Sequence, residues 1–139
     1  MNNKQSGFSL IELLLIMVIL GIITTIAIPY LLKAVHRSEE KNAYATLRTV
    51  AAAQLGYMST KGRFARLDEL NTSQGNGLGR IVGTDMVRGK FTFQMNPVTP
   101  TDAELKDGYT VIATKPAQGA DTRYVVSVDQ TGLVTEIFP

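Results

Sequence analysis

From Phe8 to Leu32 the chain is apolar at almost every position. Glu12 carries the one formal charge of this stretch, and Ser9, Thr24 and Thr25 are its other polar side chains. As a helix rising ~1.5 Å per residue, the run would be roughly 38 Å long. That covers a ~30 Å hydrocarbon core with some tilt, so the pattern predicts a membrane span over 8–32. A cleavable signal has an apolar core of only ~7–15 residues, followed by small residues at the cut. Here the apolar pattern resumes directly after Thr25 and Ala27.

Beyond the span the period becomes helical and one-sided. Tyr44, Leu47, Ala51, Leu55 and Met58 recur at helical spacing with Val50 beside them, while Lys41, Arg48 and Gln54 fall off that stripe. Residues 33–61 therefore read as an amphipathic half-helix that continues the span from Phe8 to about Thr60. Lys61 suits its last turn and Gly62 its stop. Residues 62–89 read as a connecting region. In it "FARLDEL" suggests a short helical turn packing Leu67 and Leu70 inward, and "NTSQGNGLG" reads as a mobile loop. Gly75, Gly77 and Gly79 miss the spacing of a dinucleotide fingerprint, and no strand precedes them. Residues 90–139 alternate as four strands: Phe91, Phe93, Met95; Tyr109, Val111, Ala113; Tyr124, Val126, Val128; and "LVTEIF". Asp107-Gly108 and "DQTG" are turn chemistry. The expected class is α+β: a long N-terminal helix whose second half packs on a four-stranded antiparallel sheet with one apolar face.

Three positions in the apolar run call for an explanation. A carboxylate at the centre of a bilayer costs ~2.5–3.5 kcal/mol even on the insertion scale, so Glu12 needs a partner. Pro29 lacks an N–H, and its ring crowds the carbonyl of Thr25. Gly21, with Thr24 and Thr25, weakens the same stretch. Two readings stand for it: a locally unwound or kinked turn with a purpose, or an ordinary membrane kink whose carbonyls the threonines re-satisfy.

Composition narrows the chemistry. The net charge of +2 comes from scattered basic residues, which does not indicate nucleic acid. There is no cysteine for a disulfide or a thiolate site, and His36 is the sole histidine. No nucleophile motif or phosphate loop stands out, so the chain is not expected to be an enzyme or to hold a cofactor. Asp102, Glu104, Asp107, Asp121 and Asp129 sit in expected loops and turns at spacings that fit no metal-loop template. Lys33, Arg37, Lys41 and Arg48 follow the span, and only Lys4 precedes it. Charge bias alone would place the C-terminal part in the cytoplasm.

The N-terminus resembles that of a type IV prepilin or a type II secretion pseudopilin. The resemblance rests on the short leader ending in Gly7, then "FSLIELLLIMVILGIITTIAIPYL" with Glu12 fifth after the junction, Gly21 and Pro29. It covers about a quarter of the chain; beyond that only the architecture, a pilin fold, is similar. The resemblance implies that residues 1–7 are a leader. A prepilin peptidase would cut between Gly7 and Phe8 and methylate the Phe8 amine. Glu12, Gly21 and Pro29 would serve assembly. Implied partners are further copies in a helical homopolymer, the peptidase, an inner-membrane assembly platform and lipid before assembly. The head would lie outside the inner membrane, against the charge bias, and afterwards in an extracellular or periplasmic filament. A pilus subunit for adhesion, motility or DNA uptake is the first reading and a pseudopilus subunit the alternative. The absence of tryptophan leaves out a motif found after the long helix of major pseudopilins; the absence of cysteine leaves out the pair common in many pilins. A monomeric membrane tether is the third reading, and against it stands Glu12, for which a monomer would have no use.

Overall fold

A computed structural model describes residues 7–117 and 123–138, with Phe138 by its backbone alone. Most of the expected leader, and Asp121, lie outside the described residues. The chain divides into two units, Met1–Ser38 and Glu39–Pro139. The first is the N-terminal part of α1, the helix Leu10–Lys61; the second is the head.

In the head, α1 buries Ala43, Thr46, Leu47, Val50, Ala51 and Gln54. This corrects the expected stripe at two neighbouring positions. Leu55 is 59% exposed, whereas Gln54 is fully buried. The reason is angular. Seven residues bring Gln54 almost back over Leu47 at 3.6 per turn, and Leu55 falls well off that line. The amide is tolerated because both its groups are paired. Gln54 Nε2 donates to Ala65 O at 2.8 Å, and Ala65 N–H donates to Gln54 Oε1 at 2.7 Å. The pair fastens the chain to α1 just after Gly62, whose φ of +72° turns it back.

The sheet is a six-stranded antiparallel meander in sequence order. Its strands are β1 (Arg80–Val82), β2 (Asp85–Arg88), β3 (Phe91–Met95), β4 (Thr110–Lys115), β5 (Tyr124–Asp129) and β6 (Val134–Phe138). The last four match the expected alternation, and the buried face carries the expected residues of β3, β4 and β5. Two strands fall where connecting chain is expected. They are short, and each hairpin turns on two residues with a leading glycine: Gly83-Thr84 and Gly89-Lys90, with φ of +65° and +61° at the glycines. The short helix α2 (Leu67–Ser73) buries Leu67 and Leu70 as expected, and α3 (Glu104–Asp107) buries Leu105. One core joins α1, α2 and α3 to the inner sheet face.

The glycine-rich stretch after α2 is tied down rather than loose. Asn71 is buried; its Oδ1 accepts from Leu78 N–H at 3.0 Å and Gly79 N–H at 3.3 Å, and its Nδ2 donates to Gly79 O at 3.0 Å. Gly79 has no room for a side chain, because a Cβ would lie 2.8 Å from Met86 Cγ. Arg63 grips Glu69 with two hydrogen bonds, 2.9 and 2.7 Å, and Arg66 reaches Asp102 at 2.6 Å, pinning the start of α2 to the chain at 100–102. Lys115 continues the buried face of β4, 3.7 Å from Glu39, which also holds Lys90 at 2.8 Å.

Replacing Gln54 by leucine keeps the volume and strands both Ala65 groups. Chemical denaturation of a chain beginning at Leu32 should show a loss of about 2–4 kcal/mol, since each unpaired buried group costs ~1–3. An unchanged midpoint would mean that Ala65 reaches water. The same chain tests the Arg63–Glu69 grip. Those hydrogen bonds lower the Glu69 carboxyl from its ordinary 4.5 to about 2, against the opposing effect of burial. A depressed carboxyl stabilises the fold above its unfolded pKa and loses that contribution as pH falls toward the folded one. Unfolding midpoints measured between pH 4.5 and 2 should therefore decline less steeply in Glu69→Gln than in the parent; equal slopes would contradict the assignment.

Candidate functional site

Gly7 and Phe8 precede α1 as irregular chain, and Ser9 stands immediately before its first residue, Leu10. Open space surrounds the position a Gly7 Cβ would take, and Phe8 is 79% exposed. The junction between them is therefore accessible from all sides within its own unit.

Glu12 has a partner inside its own chain. Ser9 N–H donates to Glu12 Oε2 at 2.9 Å, and Leu13 N–H donates to Ser9 O at 3.2 Å. Ser9 stands at N-cap and Glu12 at N3, so this is the carboxylate half of a capping box. The carboxylate also lies where the helix dipole favours negative charge. The signal S-x-x-E was present in "SLIE" and passes unnoticed when Glu12 is read only as a charge. The finding corrects the argument that a monomer has no use for Glu12. Magnitudes limit the correction. A cap contributes about 1 kcal/mol, less than the ~2.5–3.5 kcal/mol of a carboxylate in hydrocarbon. Capping alone leaves a deficit that a second partner can remove.

Further along, a Cβ at Gly21 would meet nothing within 4 Å, and α1 passes through Pro29 without a break in its helical assignment. A locally unwound turn is thus not found. Nor do the threonines repair the proline gap. Thr24 Oγ1 donates to Leu20 O at 2.7 Å and Thr25 Oγ1 to Ile22 O at 2.6 Å, both upstream of the Thr25 carbonyl that Pro29 leaves without its helical donor.

The large apolar side chains of this unit, from Phe8 through Val35, are exposed on every side of the helix. Among the described residues α1 is the one helix long and apolar enough to cross a membrane. Phe8, Glu12, Gly21 and Pro29 thus lie on a single rod with no protein cover of its own. Among the described residues no three His, Cys, Asp or Glu side chains converge to hold a metal ion.

The family profile for the prokaryotic N-terminal methylation motif matches residues 2–28. The chain is also similar to the protein named type IV major pilin protein PilA of Myxococcus xanthus (strain DK1622), 38% identical over 64 residues. That match takes in 46% of this chain and 29% of the relative, so the chain spans less than a third of the curated relative it matches. No solved structure matches.

The cap can be tested directly. In detergent micelles, Glu12→Ala should speed amide exchange at Ser9 about fivefold, the equivalent of a lost cap. Glu12→Gln keeps an accepting oxygen and should leave the rate near that of the parent. Equal rates in all three would show that Glu12 does not cap α1.

Proposed function

We propose that this type IV pilin-like chain, which carries the methylation motif at residues 2–28, is a structural subunit of a type IV pilus. The observation that carries the reading is the bare apolar half-helix opened by a capped carboxylate. Such a rod is usable in two places, in lipid before assembly and in a bundle of like helices after it. The partial match to a major pilin and the lack of tryptophan favour a pilus over a pseudopilus.

The steps follow from the residues. Gly7 lets a peptidase approach the backbone closely, and cleavage before Phe8 creates an amine next to Ser9. The amine is methylated and stays cationic. Glu12 lies one turn further on, with one oxygen on Ser9 N–H and the other left for a neighbour. A stagger of about one turn, roughly 5–6 Å, brings Glu12 level with the Phe8 amine of the next copy. Other staggers leave two charges alone in an apolar core. Losing one member of a buried pair costs ~3–5 kcal/mol, so the pair selects the register more than it adds net stability. In this scheme the head sits outside the inner membrane. A prepilin peptidase, an assembly platform and lipid are the partners on the way, and Gly21 and Pro29 adapt the rod to the bundle.

Mass spectrometry of sheared filaments should find chains beginning at a methylated Phe8; Met1 retained in filaments would contradict the scheme. Gly7→Val should accumulate the longer precursor in the membrane. Glu12→Gln separates the two roles of the carboxylate: it retains the cap and removes the charge. The scheme expects filament yield to fall in Glu12→Gln as steeply as in Glu12→Ala, with processing intact in both. Normal yield from Glu12→Gln would reduce Glu12 to a cap.

A further inference from the structure

Where the apolar run ends, one side of α1 changes its chemistry. Residues 13–32 carry no formal charge and span about 30 Å as a helix, the thickness of a hydrocarbon core. Lys33 and Arg37 follow directly, and no carboxylate stands in the chain between Glu12 and Glu39. Both cations are exposed, and neither has a hydrogen bond or ion pair among the described residues. Tyr30 precedes Lys33 by three positions and is 79% exposed. Its hydroxyl also has no partner among the described residues. Spacings of three and four put Tyr30, Lys33 and Arg37 on one side of the helix.

Their depths match one layer of the membrane. Headgroups add about 5–8 Å to each side of the hydrocarbon core. With Leu32 as the last residue in hydrocarbon, Lys33 stands about 1.5 Å beyond it, Arg37 about 7.5 Å beyond it, and Tyr30 about 3 Å inside. The three thus bracket a headgroup layer from its inner margin to its outer one. A tyrosine at that margin keeps its ring in hydrocarbon and its hydroxyl among polar groups. The arginine fork fits two phosphate oxygens, and the lysine adds a mobile point charge. A zwitterionic headgroup brings an amine that opposes these cations. A headgroup whose one charge is its phosphate does not.

We propose that Lys33 and Arg37 hold the phosphate of an anionic phospholipid while the subunit resides in the membrane, with Tyr30 at the glycerol side of that lipid. The inference rests on the reading of the chain as a membrane-held subunit, and adds to it a lipid class and a fixed depth. A bare apolar rod can shift along its axis in lipid at little cost. A phosphate held between Lys33 and Arg37 opposes that shift, because each residue of sliding moves both cations ~1.5 Å out of the layer that neutralises them.

The full chain in phosphatidylcholine vesicles tests it, with a trace of spin-labelled phosphatidylglycerol or spin-labelled phosphatidylcholine as the probe. The fraction of each label immobilised by the protein is read by electron paramagnetic resonance. The parent should prefer phosphatidylglycerol about threefold, and Lys33→Gln with Arg37→Gln should bring the two lipids to within about 1.5-fold of each other. Arg37→Lys keeps the charge and should keep most of the preference. Flotation with the vesicles confirms insertion of each variant. No preference in the parent, or an undiminished preference in the double variant, overturns the site; if that variant also assembles poorly, the cations belong to a contact between copies instead. A parent chain that does not float with the vesicles overturns the membrane reading, and this inference with it.

Discussion

The apolar surface of Phe8–Leu32 is the constraint on which the rest depends. Burying a Leu- or Ile-sized side chain stabilises by ~1.5–3 kcal/mol. The run exposes well over a dozen of them, so tens of kcal/mol separate a covered rod from a bare one. A small domain is stable by only ~5–15 kcal/mol. The head therefore cannot tolerate this surface in water, and either lipid or other chains must cover it. Both covers are equally apolar. Between them the hydrophobic effect gives little preference, and helices in hydrocarbon associate by packing and by polar contacts. What distinguishes one arrangement of bare rods from another is the little polarity they carry, which here is Ser9, Glu12, Thr24 and Thr25.

The head meets the opposite demand with the same helix. Past Glu39 one side of α1 is buried, and the core it enters is held at its margins by polar side chains that pair with backbone or with an opposite charge. Gln54 fastens the chain after α1, Asn71 closes the glycine-rich stretch onto β1, and Glu39 holds Lys90 and lies near the buried Lys115. Each is costly to bury alone and inexpensive when fully paired. The result is a head with one continuous core and a defined shape.

How much of this was legible in the sequence differs by element, for physical reasons. The long helix and the four longer strands were legible because their periods extend over many residues. β1 and β2 were not, because three or four residues carry too little alternation; the leading glycines of their two-residue turns were the available signal. Gln54 and Leu55 changed places because hydrophobicity was weighed ahead of angle, and a buried amide is disclosed only by the distant backbone it pairs with. Asn71 and Lys115 escaped for the same reason. The methylation motif was legible in full, since a linear motif needs no folding to be read. Within it the capping role of Glu12 was visible as S-x-x-E and was obscured by the larger question of its charge.

The central claim is that a single apolar rod exchanges a lipid cover for a protein one. The chain has no cysteine, so Leu20→Cys places one spin label midway along the rod. Its accessibility to oxygen, which concentrates in lipid, and to a water-soluble relaxation agent is measured in membranes and then in sheared filaments. The account predicts high oxygen accessibility in the membrane and low accessibility to both agents in the filament. A label that remains as open to either agent in filaments as in membranes would contradict it.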